Sequence, residues 1–119
     1  MRAFNQDRQR EIADAVSVAD SFRSRLRGWL GKDAARPGEA LWIVPSRAVH
    51  TRGMSFPIDV LFLDRSSHIV AMVQNMRPGR MTRIRWRART VLELPAGTLQ
   101  RTGTCVGDQI LMRDPKERT

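Results

Sequence analysis

The chain has 119 residues, 41% of them hydrophobic, a mean hydropathy of -0.41 and a formal net charge of +9. Those totals fit one soluble globular domain that buries its core without staples, and they exclude a low-complexity or fibrous chain. No apolar run approaches the ~18 residues a bilayer span needs, so none is expected, and the lone Cys105 excludes an intrachain disulfide framework.

Taken in chain order, residues 1–12 mix both charges with no continuous apolar stretch. They read as a polar, flexible end rather than a secretory signal, and the cytoplasm is the expected compartment. Residues 13–113 are expected to form one globular domain, and residues 114–119 a short charged tail. A short strand is expected over residues 14–18. Ser17 or Asp20 then offers an N-cap, and Phe22, Leu26, Trp29 and Leu30 recur at a spacing that lines one helix face, with Gly31 as the stop. "ALWIV" before Pro45 reads as a strand.

Residues 58–63 are apolar on both faces except at Asp59, the pattern of a strand covered from both sides. "DRSSH" is a turn and "HIVAMVQNM" a further strand, which would bring Leu61 and Met72 into one hairpin. "TVLELP" is a strand, "AGTLQRTG" a turn or short helix, and "DQILM" a last strand. Short strands punctuated by Gly and Pro, with one clear helix, predict a mainly β domain: a compact sandwich or small barrel.

Three polar groupings stand out. Asp59 shares a strand face with Leu61 and Leu63, so its carboxylate needs donors, such as the backbone N–H groups of a turn. It reads first as a structural clamp and second as the acid–base partner of His50. Glu93 alternates with Leu92 and Leu94 and so occupies the opposite face, and a Glu93–Asp59 pair would suggest acid–base work. In "RIRWRAR", Arg83, Arg85, Arg87 and Arg89 would line one face of an extended segment, with Trp86 on the other. That arrangement serves anion or single-strand binding, or equally a solvated edge strand.

The other chemistry-bearing residues are plainer. His50, His68 and Cys105 lack metal-ligand spacing, so neither a metal nor a cofactor is expected. Cys105, near Val106 and Ile110, reads as a small buried thiol, and Asp108 after Gly107 as a turn residue. No phosphate-binding glycine loop and no nucleophile elbow occurs. Of the 21 basic residues, all but Lys32 and Lys116 are Arg. Their spread along the chain favours general solvation over one strong anion site.

The "SRLRGWLG" helix, the "HTRGMSFPIDVLFLD" block, "VLELPAGT" and the closing "GDQIL" resemble the bacterial and archaeal family known as domain of unknown function 192. The resemblance runs from Ala19 to Met112 and implies a compact, mainly β domain with no established activity. Family motif positions fall on His50, Thr51, Gly53, Met54, Pro57, Asp59, Asp64, Glu93, Pro95, Gly97, Gly107 and Asp108. Close relatives often carry Cys where this chain has Ser46, which argues against a thiol–histidine mechanism here. Some relatives are exported, but the opening residues carry no leader pattern.

The leading functional expectation is a non-enzymatic binding module with a small polar pocket at His50, Thr51, Met54, Asp59 and Glu93, taking an unknown small ligand or a protein segment. The alternative is a nucleic-acid or anionic-surface binder acting through residues 77–89. The third is an acid–base hydrolase using His50 and a carboxylate.

Overall fold

A computed structural model describes residues 1–114, so all but the first residue of the expected charged tail lies outside the described residues. Eight strands and two short helices follow in chain order: β1 (Arg2–Asn5), β2 (Arg10–Ala13), β3 (Ala15–Ala19), α1 (Phe22–Arg27), β4 (Glu39–Ile43), β5 (Ile58–Leu63), β6 (Ile69–Met76), β7 (Thr90–Pro95), α2 (Thr98–Thr102) and β8 (Ile110–Arg113). The strands form two sheets, ordered β2-β1-β8 and β3-β4-β7-β5-β6. The domain is mainly β and layered, and its sheets do not close into a barrel.

The central strands behave as their composition requires. Every residue of β5 is buried, and it pairs antiparallel with β6, placing Leu61 opposite Met72, and with β7, placing Val60 opposite Glu93. Because side chains alternate across a strand, β5 and β7 supply two cores at once. On one face Leu61, Leu63, Leu92 and Leu94 pack against Ala3, Ile12 and Ile110 of the small sheet and Leu99 of α2. On the other face Ile58, Val60, Phe62 and Val91 pack against Trp29, Val49, Met54 and Ala88, which come from connecting segments. One face of the large sheet is therefore covered by a sheet, and the other by connecting segments, among them the turn that follows α1.

The first 12 residues do not form a free polar end. They make β1 and β2, with Ala3 opposite Met112 and Asn5 opposite Ile110 of β8. Their ordering comes from the far end of the chain. Buried Asn5 donates to Thr104 Oγ1 at 3.2 Å and to Asp108 Oδ2 at 3.0 Å, while Arg8 Nε reaches the same Asp108 oxygen at 3.0 Å.

The helix is shorter than its apolar spacing predicts. Ser21 caps it in a reciprocal pair with Ser24, and it ends at Gly28, whose φ of 49° breaks the helical path before Trp29. Trp29 is buried, but Phe22 and Leu26 are 73% and 56% exposed, so the expected single buried stripe is not formed.

The alternating arginines do not sit on a strand either. A turn closes at residues 85–88, where Ala88 N–H donates to Arg85 C=O at 2.9 Å, and Ala88 is buried. Arg83, Arg87 and Arg89 are exposed, whereas half-buried Arg85 lays its guanidinium over the Phe62 ring, 5.6 Å from the centroid. Cys105, expected to be buried, is exposed: residues 103–108 form a surface turn in which Cys105 N–H donates to Asp108 Oδ2 at 2.9 Å.

Candidate functional site

Glu93 lies in the middle of β7 on the loop-covered face, next to Leu41 of β4 and Val60 of β5. Neither neighbour offers it a side-chain hydrogen bond. It is 3% exposed, its Oε1 has no hydrogen-bond partner among the described residues, and burial pushes its pKa up to about 7. Burial therefore favours the protonated carboxyl, and in that form it both donates and accepts.

Glu93 lines a cavity of about 250 Å³ that reaches from the sheet to α1. Phe22, Leu26 and Trp29 come from α1 and the turn after it, and Ile43 and Pro45 from the end of β4. His50 and Met54 come from the loop that follows. The walls are largely apolar, with the acid as a deep polar group and Arg25, Arg27, Ser46 and His50 as the other polar lining. Exposure of Phe22 and Leu26 follows from this arrangement, since both border a partly open space instead of a filled core.

Local geometry holds His50 and Met54 in place. Thr51 is fully buried, and its Oγ1 donates to Arg77 C=O at 2.6 Å and accepts from Arg80 N–H at 2.9 Å, fastening residues 49–54 to the turn after β6. His50 is exposed and forms an isolated antiparallel bridge with Met81. Gly53, at φ 82°, turns the loop so closely that a Cβ there would lie 3.1 Å from Leu30 Cδ2. A side chain at Gly53 would therefore push on the cavity wall.

Of the five residues expected to share a pocket, His50, Met54 and Glu93 line one cavity and Thr51 supports its loop from outside. Asp59 belongs elsewhere. It lies on the opposite face of the sheet, accepting from Asn75 N–H at 2.8 Å, Gly97 N–H at 3.1 Å and Leu99 N–H at 3.0 Å. It thus clamps the first turn of α2 and the end of β6, and no Glu93–Asp59 pair forms. The turn residue Asp108 is likewise a clamp. Burial works to raise its pKa, but hydrogen bonds from Arg8, Asn5 and the Cys105 N–H outweigh burial and hold it below the ordinary carboxylate range.

Ser46 and Trp29 were not among the expected site residues. Ser46 donates to Ala48 C=O at 3.0 Å, and no hydrogen bond among the described residues joins His50 to Ser46 or to Glu93. Trp29 could have been found only by asking what covers the Glu93 face. No group of three or more metal-ligating side chains occurs among the described residues, and no described helix is long and apolar enough to cross a membrane.

Residues 3–112 match the family DUF192, described as an uncharacterised ACR. The chain belongs to this family. It is 29% identical over 109 residues to a UPF0127 protein of Thermococcus sibiricus, covering 87% of this chain and 70% of that one. A UPF0127 protein of Pyrococcus abyssi is 31% identical over 112 residues, covering 89% and 92% respectively. Among solved structures, a Novosphingobium aromaticivorans protein of unknown function superposes with a TM-score of 0.80 at 16% identity, covering 93% of this chain and 82% of its own. A Sinorhizobium meliloti protein described as a candidate transcription regulator gives a TM-score of 0.76 at 24% identity, with 92% and 89% covered. Both structural likenesses concern the fold alone and not an activity.

Proposed function

We propose that this DUF192 chain is a binding module whose site is the cavity beneath α1. Its ligand would be a small molecule or side chain with an apolar body and an uncharged hydrogen-bonding head. The observation that carries this reading is the unpartnered Oε1 of buried Glu93 at the base of an apolar space. Leaving a buried acceptor unsatisfied costs about 1–3 kcal/mol, which a ligand amide or hydroxyl would recover. A cationic head is disfavoured by Arg25 and Arg27 in the lining, and an anionic head by Glu93 itself once ionised.

The test uses three probes sharing one ring, benzamide, benzoate and benzylamine, followed through the Met54 methyl resonance at pH 6 and pH 8. Benzamide should move that resonance at both pH values, and Glu93→Leu should abolish the response while the protein stays folded. If no probe moves the Met54 methyl, or if Glu93→Leu leaves the benzamide response intact, the reading fails.

A further inference from the structure

Between Asp64 and the buried Glu93 the sequence contains no acidic residue, yet it holds seven arginines, at positions 65, 77, 80, 83, 85, 87 and 89. None of those seven takes part in a salt bridge within the described residues. The same stretch carries the two most exposed large apolar side chains outside α1, Trp86 at 75% and Met81 at 71%, together with Ile84 at 49%.

The surface here carries three shallow depressions. One depression contains Arg77, Arg80 and Met81 and shares Arg83 and Arg85 with a second. The second shares Ile84 and Trp86 with a third, which continues to Arg47 and Arg89. The three shallow depressions lie side by side along the loop after β6 and form a trough, with Trp86 standing between the second and third and no Asp or Glu among the described residues lining any of them. Two hydrogen bonds fix its walls: Arg47 Nε donates to Ala88 C=O at 3.0 Å, and Arg85 N–H to Arg47 C=O at 2.8 Å.

We infer that this trough binds single-stranded nucleic acid, its arginines tracking the phosphates and Trp86 stacking on a base. A linear polyanion can follow a row of shallow depressions of one charge sign and place a base beside the indole that stands between them. An unpaired base offers its face to an exposed indole, and a base within a duplex does not. The surface excludes Glu93 and Met54, although its third depression borders the cavity beneath α1 through Pro45, Ser46 and Ala48.

The experiment titrates the protein against fluorescently labelled twelve-nucleotide oligothymidylate at several salt concentrations. The trough variant, Arg80→Gln/Arg83→Gln/Arg87→Gln, is compared with a charge-matched control, Arg23→Gln/Arg36→Gln/Arg101→Gln, all six positions being exposed. At about 0.7 in log–log salt slope per phosphate on single strands, the trough variant should lose about two units of slope and the control almost none. Trp86→Ala should weaken binding roughly 5- to 150-fold, the equivalent of about 1–3 kcal/mol for one stacked base. Equal losses in the two triple variants would overturn the inference, because net charge alone would then account for binding. So would tighter binding to the matching duplex or to phosphatidylserine vesicles, or an unchanged affinity for Trp86→Ala.

Discussion

Asp59 and Glu93 stand on adjacent strands one position apart in register, yet they face opposite sides of the sheet and have opposite hydrogen-bonding fates. Asp59 accepts three backbone N–H groups, and Glu93 Oε1 accepts none. Two carboxylates that look alike in sequence therefore separate into a fastener and an unsatisfied group.

Replacing Asp59 by Asn keeps its shape but turns an amide NH2 towards N–H donors. Asp59→Asn should destabilise the fold by about 1–3 kcal/mol. The denaturant midpoint should fall with its slope unchanged, and amide exchange should quicken first at Gly97 and Leu99. An unaltered midpoint would remove the clamp.

Glu93 makes stability depend on pH. Its folded pKa is raised from 4.5 to about 7, so between those values the folded chain holds a proton that the unfolded chain has released. Stability therefore falls as pH rises through that window, by an amount corresponding to about 3 kcal/mol for a shift of this size. Urea unfolding at pH 5, 6, 7 and 8 should show the decline, and Glu93→Gln should flatten it. The same decline in the variant would assign the effect to another group.

Asp108 has the opposite sign. Its folded pKa is depressed, so its contribution is present above the unfolded pKa and is lost as pH falls through the folded value. Asp108→Asn should cost about 1–3 kcal/mol at neutral pH and shift acid unfolding to higher pH. Because Asp108 holds Asn5 and Arg8, exchange should rise across β1 and β2 before the central strands respond.

Leu26 and Leu92 separate lining from core. Leu26 is 56% exposed and Leu92 fully buried. Leu26→Ala should change stability by less than about 0.5 kcal/mol, as exposed substitutions do, whereas Leu92→Ala should cost about 2–5 kcal/mol. If the α1 cavity binds benzamide, Leu26→Ala should nonetheless weaken that binding. A Leu26 variant as damaging as Leu92→Ala would return α1 to the core.

The strands legible in sequence are those whose order comes from their own burial. β5 and β7 are apolar runs whose bounds match "IDVLFL" and "TVLELP", and the Leu61–Met72 pairing followed from the turn between β5 and β6. β1 and β2 were not legible. Their short polar sequences are ordered by β8 and by an Asn5–Asp108 contact 103 positions away, which local patterning does not register. Arginine alternation at residues 83–89 imitated a strand, but among the described residues no strand pairs with it and the chain turns instead. For the site, alternation placed Asp59 with, and Glu93 opposite, the leucines of its own strand, but the expected shared pocket fails because the β5–β7 register puts those leucines on one face and so parts the two acids. That the Glu93 face is roofed by Phe22, Leu26 and Trp29 depends on how the chain travels after β3.

That path has an architectural consequence. β3 and β4 run parallel, so the chain cannot return through a two-residue hairpin and must carry a crossover to bring Glu39 beside Ala15. Residues 20–38 are that crossover, and part of it forms the cavity roof. The roof is therefore a structural obligation of the sheet. Its exposed side chains Phe22 and Leu26 can change without disturbing the core that holds Trp29, but the segment cannot be deleted without unpairing β3, so diversification here would proceed by repainting a permanent ceiling.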